Sequence, residues 1–166
     1  MADFISLLTE DHRRVEELFK QFDETADPAV AQQIWFELSV HSTVEEEMLY
    51  GLYSAKVDNA GAAEARAEHQ EAKDLITTLE AMDPSSDEFV TTMTKLKTSV
   101  FHHVDEEEHE IFPKMLERLP DTSPLLGDDM AARRVEVEAQ LRADREVGMA
   151  ASTTTQKPVA SPEPGW

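Results

Sequence analysis

Two stretches, His41-Ser-Thr-Val-Glu45 and His103-Val-Asp-Glu-Glu107, decide how this chain folds. In each, a histidine is followed four residues later by a glutamate. On an α-helix such residues are stacked neighbours, about 5–6 Å apart, so both side chains can reach one point beside the helix. Neutral imidazole and carboxylate are nitrogen and oxygen donors suited to iron, zinc or manganese.

The flanking residues show which way the pairs point. Ile34, Leu38, His41, Glu45, Met48 and Leu52 recur at helical steps of three and four, and so do Met93, Leu96, Val100, His103, Glu107 and Ile111. Each set is the apolar stripe of an amphipathic helix, interrupted by a His–Glu pair. Ionisable groups on a buried stripe cost several kcal/mol if left unpaired, so something must compensate them, twice over.

Working outward, the first helix is capped by Asp3, with Ser6 as a competing cap, and ends near Asp23 before the Asp27-Pro28 turn. Its stripe is Phe4, Leu8, Val15, Phe19 and Phe22, and His12 falls on it. The second helix spans about 30–54, and Asp58-Asn-Ala-Gly61 reads as a loop. The third spans about 62–82, and His69 lies on a stripe with Ala62, Ala65, Ala72, Ile76 and Leu79. Asp87 is placed to cap the fourth helix, which reaches about Arg118, and Pro113 should kink it or end it just past Glu107. A fifth, more polar helix covers about 125–147, with Met130, Val137 and Leu141 available to pack on the rest. From Met149 the chain is low in complexity and ends Ser-Pro-Glu-Pro-Gly-Trp, which reads as a disordered tail.

The expectation is an all-α, up-down-up-down antiparallel four-helix bundle over residues 1–120, an additional C-terminal helix over 121–148, and a tail over 149–166. The chain holds only 5 Gly and 2 Tyr with few β-branched runs, which argues against a sheet. The formal net charge of −20 opposes nucleic acid and anionic membrane surfaces as partners. The absence of cysteine removes disulfides, thiolate catalysis and iron–sulfur clusters, and suits a cytoplasmic protein. No apolar run approaches a membrane span, and the N-terminus lacks a signal peptide's pattern.

The halves repeat. His12 precedes the pair His41 and Glu45; His69 precedes the pair His103 and Glu107. A lone histidine on a stripe reads first as a hydrogen-bonded core residue. Four of the six histidines in a repeated order, two with glutamate at i+4, read instead as a metal cage. Two hairpins facing each other would supply His12 and His41 to one metal and His69 and His103 to the other, with Glu45 and Glu107 as bridges. Such a set leaves coordination positions open, as reactive sites do. His102 and His109 lie off the stripe and read as edge or surface residues, with tuning of the site as their lesser reading. Glu46, Glu47, Asp105, Glu106 and Glu108 read as solvated face. Tyr50 is a candidate hydrogen-bond donor near the site, but five residues past Glu45 it is turned away from the ligand line and reads first as packing.

The pattern H…HxxxE…H…HxxxE, with Glu-Glu-Glu-Met-Leu-Tyr in one half and Glu-Glu-His-Glu-Ile-Phe-Pro in the other, resembles the hemerythrin-like, or HHE cation-binding, family over about residues 4–118. The resemblance implies a four-helix bundle holding a non-haem di-iron centre, two iron ions bridged by carboxylates and an oxo or hydroxo group. Oxygen-carrying members have a second histidine on the third helix where this chain has Lys73, and end in HxxxxD rather than HxxxE. Those departures argue against reversible oxygen carriage. What remains implied is a cytoplasmic protein, a monomer or weak dimer, that reacts with hydrogen peroxide or oxygen, in the manner of catalase-like peroxide decomposition. The alternative is a non-catalytic binder of oxygen, nitric oxide or iron, acting as carrier, sensor or reservoir. Zinc or manganese in the same cage, with a structural role, is the third reading.

Overall fold

The computed structural model describes residues 3–154. Its helices are α1 (Phe4–Thr25), α2 (Pro28–Val44), α3 (Tyr50–Lys56), α4 (Asn59–Glu80), α5 (Asp87–Glu106), α6 (Phe112–Arg118) and α7 (Ser123–Thr154). Single π turns, Glu45–Leu49 and Glu107–Ile111, join α2 to α3 and α5 to α6. The four rods of the bundle are therefore α1, residues 28–56, α4 and residues 87–118. They run up-down-up-down, with α1 against α2 and α4 against both α3 and α5, and α7 lies across α1 and α2. Among the described residues, no helix is long and apolar enough to cross a membrane.

Local chemistry sets the ends of the rods. Asp3 caps α1 by accepting from the Ser6 N–H at 2.9 Å. Ala26, at φ 49°, closes α1 in the left-handed region, where its N–H donates to the Phe22 carbonyl at 2.7 Å. Asp27 then caps α2 through the Ala29 N–H, with Pro28 in the first turn, where a missing N–H costs nothing. Asp58 accepts from the Ala60 and Gly61 N–H groups, so the expected loop is already the N-terminus of α4, which begins at Asn59. Ser86, not Asp87, caps α5, and Asp87 sits in its first turn.

Pro113 neither ends nor breaks its rod. The π turn just before it replaces part of the regular hydrogen-bond ladder, so proline falls in the first turn of α6, where no donor is required of it. The last helix runs on to Thr154 rather than stopping at 148, through a stretch that includes the good helix formers Ala150 and Ala151. The expected tail beyond Thr154 lies outside the described residues.

Two apolar clusters fill the bundle. One gathers Phe4, Leu8, Val44, Leu49, Tyr53 and Met115, and Met130 and Val137 of α7 join it. The other gathers Val15, Phe19, Ile34, Phe89, Met93 and Leu96. On α1, His12 falls between Leu8 of the first cluster and Val15 of the second. A buried polar layer thus separates the two.

Candidate metal centre

Each rod contributes to that layer. His12 comes from α1, His41 from the end of α2, His69 from α4 and His103 from α5, while Glu45 and Glu107 are the first residues of the two π turns. All six side chains are buried, and the two glutamates are 0% exposed. The structure brings all six together. His12 Nε2 lies 3.2 Å from Glu107 Oε2, and His41 Nε2 lies 3.1 Å from Glu45 Oε2. His69 Nε2 is 3.4 Å from the same Glu45 oxygen, and His103 Nε2 is 3.5 Å from Glu107 Oε2. Donor atoms of His12, His41, Glu45 and Glu107 all lie within 4.8 Å of one another, and so do those of Glu45, His69 and His103. Glu45 belongs to both groups.

The outward ring nitrogens fix the tautomers. His12 Nδ1 faces Glu108 Oε1 at 2.8 Å, His69 Nδ1 faces Glu46 Oε1 at 3.0 Å, and His103 Nδ1 faces Glu68 Oε2 at 2.7 Å. A carboxylate only accepts, so each Nδ1 donates and each Nε2 turns a lone pair inward. His41 Nδ1 faces Asp11 Oδ2 at 3.7 Å, beyond hydrogen-bond range. A ring of cations backs three of these carboxylates. Arg13 bonds Glu108 at 2.6 Å, Lys73 bonds Glu46 at 2.7 Å, and Arg134 of α7 bonds Asp11.

The layer fits a bound cation on its own terms. His12 Nε2, His41 Nε2, Glu45 Oε1 and Glu107 Oε2 are buried with no hydrogen-bond partner among the described residues. The Nε2 atoms of His69 and His103 stand 2.9 Å apart, where two facing lone pairs repel unless a proton or a cation is shared between them. Burial opposes a proton on His69, and Glu45 and Glu46 outweigh it and raise its pKa. Burial opposes charge on His41, but Glu45, Asp11 and Glu107 outweigh it and raise its pKa well above the imidazole range. Burial likewise opposes a charged Glu45, and His41 and His69 overcome it and hold that carboxyl well below the usual range. Hydrogen bonding from His69, against burial and with help from Lys73, takes Glu46 down to about 2.

Tyr50 corrects the sequence reading. Its hydroxyl sits inside the layer, donating to Glu107 Oε1 at 2.6 Å and lying 3.3 and 3.2 Å from Nε2 of His69 and His103. The reason is the π turn. Its i→i+5 hydrogen bond, from the Tyr50 N–H to the Glu45 carbonyl, brings position i+5 round to the face that i+4 holds in an α-helix. Burial, then Glu107 and Glu45, push the phenol pKa well up, so Tyr50 keeps its proton. Glu46 and Glu108 also depart from their reading as solvated face, since each accepts from a cage histidine. A signal was available in a wider repeat. Acid–histidine pairs, Asp11-His12 and Glu68-His69, alternate with HxxxEE blocks ending at Glu46 and Glu108. His102 and His109 are exposed.

A cavity of about 40 Å³ adjoins the layer. The four histidines form one wall, and Val15, Leu38, Ala72, Ile76 and Val100 form much of the rest. That space suits a molecule of about two heavy atoms.

A family model described as the hemerythrin HHE cation binding domain matches residues 3–115. The chain is 32% identical over 106 residues to a DNA nickase of Nostoc sp., a match covering 61% of this chain and 30% of that protein. It is 27% identical over 133 residues to an uncharacterised hemerythrin-like protein of Schizosaccharomyces pombe, covering 75% of this chain and 65% of that one. The chain thus spans less than two thirds of the length of either relative. The crystal structure of a hemerythrin HHE cation binding domain-containing protein from Mycobacterium kansasii superposes with a TM-score of 0.73 at 25% identity, covering 84% of this chain and 90% of that one.

Proposed function

Because the chain belongs to the hemerythrin HHE cation-binding family, we propose that its buried layer holds two iron ions and decomposes hydrogen peroxide. His12 and His41 would hold one ion and His69 and His103 the other, with Glu45 and Glu107 as the carboxylate ligands. The observation that carries this reading is the convergence of four inward Nε2 atoms with two buried carboxylates, the four histidines also lining a small cavity.

In the net reaction two peroxide molecules give two waters and one dioxygen, one peroxide being reduced and the other oxidised. When bound, the iron pair supplies the electrons and the oxidising capacity for that exchange. The chain's own residues supply the rest. The cavity has room for a molecule the size of peroxide, beside the four histidines and against Val15, Leu38, Ala72, Ile76 and Val100. Tyr50 holds a proton 2.6 Å from Glu107, where the hydroxyl fixes that carboxylate and can hydrogen-bond a neighbouring oxygen. The outer carboxylates hold His12, His69 and His103 in the tautomer that presents Nε2.

The second reading, a non-catalytic binder of oxygen, nitric oxide or iron, is favoured by how enclosed the layer is. Nicking of DNA is not part of either reading, because a chain of net charge −20 repels a polyanion. Elemental analysis of protein purified without added metal, followed by oxygen evolution after peroxide addition, separates them. About two irons per chain with sustained oxygen release supports the enzyme. Iron with a spectral change under oxygen or nitric oxide, but no turnover, supports the binder. Zinc, or no metal, removes both.

A further inference from the structure

The His–Glu spacing occurs on α5 in two adjacent registers. His103 and Glu107 point into the layer. His102 and Glu106 repeat the spacing one residue earlier, about 100° round the helix, on its outer face. There they meet Glu68 of α4. His102 Nε2 lies 3.3 Å from Glu106 Oε1 and 3.6 Å from Glu68 Oε1. One donor atom from each of the three lies within 4.8 Å of the other two.

Glu68 is the carboxylate that holds His103, through its other oxygen at 2.7 Å. The remaining three carboxylates that back the cage histidines each have a fixed cation behind them: Arg13 at Glu108, Lys73 at Glu46 and Arg134 at Asp11. Among the described residues Glu68 pairs with no lysine or arginine. Behind it stand an imidazole and a second carboxylate, Glu106. The two neighbouring carboxylates repel each other, and a cation held with the imidazole relieves that repulsion. Imidazole in the set selects first-row transition ions over Mg2+ and Ca2+, which prefer all-oxygen shells.

We propose that Glu68, His102 and Glu106 form an outer site for one divalent first-row metal ion. Zn2+, Mn2+ and Fe2+ are the candidates, with water completing the shell on the exposed side. The ion is the fourth counter-cation of the outer ring. It neutralises Glu68 as Arg13, Lys73 and Arg134 neutralise the other three, and Glu68 is shared between it and His103.

The test is calorimetric titration of the metal-loaded full chain with Zn2+, elemental analysis before and after counting the ions in the cage. Wild type should take up one equivalent beyond the cage content, with excess Mg2+ failing to compete. His102→Ala and Glu106→Gln should each weaken that equivalent by at least about tenfold, with helicity and cage metal unchanged. His102 is 63% exposed, so its truncation leaves the core intact. Three results overturn the proposal: no further equivalent, a further equivalent that both variants retain, or displacement by Mg2+.

Discussion

Tyr50 and Phe112 occupy the same place in the two halves of the bundle. Each follows a buried glutamate by five residues, and each donates its backbone N–H across a π turn to that glutamate's carbonyl, Tyr50 to Glu45 and Phe112 to Glu107. Their side chains differ in one atom with large consequences. The Tyr50 hydroxyl enters the polar layer, while the Phe112 ring stacks on His12, parallel to within 3° at a centroid distance of 6.0 Å. The cage is therefore built from two similar halves with a single phenol on one side.

Tyr50→Phe makes the halves alike, and Phe112 shows that a phenyl ring is accommodated beside a π turn. The variant should fold and keep its metal. Without metal it leaves Glu107 Oε1 short of its donor, so denaturant unfolding of the metal-free form should show a loss of about 1–3 kcal/mol. Peroxide turnover should fall in the loaded protein while metal content stays the same. An unchanged metal-free stability would mean that the 2.6 Å hydrogen bond contributes nothing.

His41→Ala and Glu107→Ala each remove a donor from the buried layer, and each should lower bound metal and the melting temperature together. Metal that binds only the native state stabilises it in proportion to the logarithm of its occupancy. His109→Ala alters an exposed side chain whose ring nitrogen accompanies Asp105 at the surface, so it should leave both quantities unchanged. Wild-type metal content in both of the first two variants would remove the ligand assignment.

The six side chains that meet in the layer could be read from the sequence because α2 and α5 are regular helices up to Glu45 and Glu107, where a spacing of four means one face. Past those residues the phase shifts by one. Regular periodicity placed Tyr50 on the wrong side for that reason, and nothing local in Glu45–Leu49 announces a π turn. Packing of the whole bundle selects it. Glu46 and Glu108 were misread on the same principle: an acid beside an acid on a helix normally faces water, and only the neighbouring rod reveals the histidine waiting for it. Asp11 was hidden differently. It is buried because Arg134 reaches it from α7, and no spacing within α1 carries that information.

The pH dependence of the metal-free protein follows from the shifted groups. His41 and His69 have raised pKa values: burial opposes this, and the neighbouring carboxylates prevail. Their contribution is fully present below the ordinary value of 6.5 and is lost as pH rises through the raised folded value. Glu46, lowered from 4.5 to about 2, contributes above 4.5 and loses that contribution as pH falls towards 2. Glu45 acts in the same direction. Metal needs the same imidazoles neutral, so its affinity rises with pH. The gap in melting temperature between loaded and metal-free protein should therefore widen from pH 6 to pH 8, a range set on either side of the ordinary imidazole value. Melts at both pH values, with and without metal, measure it, and a constant gap would mean that protons and metal do not compete for the cage.

Arg134 gives α7 a part in the site. Its guanidinium is mostly buried, bonds Asp11 beside His41, and reaches Glu37 at 3.1 Å and Glu138 at 2.9 Å. Arg134→Met keeps most of the apolar stem and removes the charge. Arg14, half-exposed and 3.5 and 3.4 Å away, would then be the one arginine left beside buried Asp11 and partly buried Glu37. Breaking a buried pair on one side costs about 3–5 kcal/mol, so chemical denaturation should show a loss of that order. A purely structural clamp would stop there. Because Asp11 also backs His41, metal affinity measured by competition with a chelator should drop by about 10–100-fold, and Arg134→Lys should recover part of both losses. A stability loss with unchanged metal affinity would confine α7 to covering the bundle.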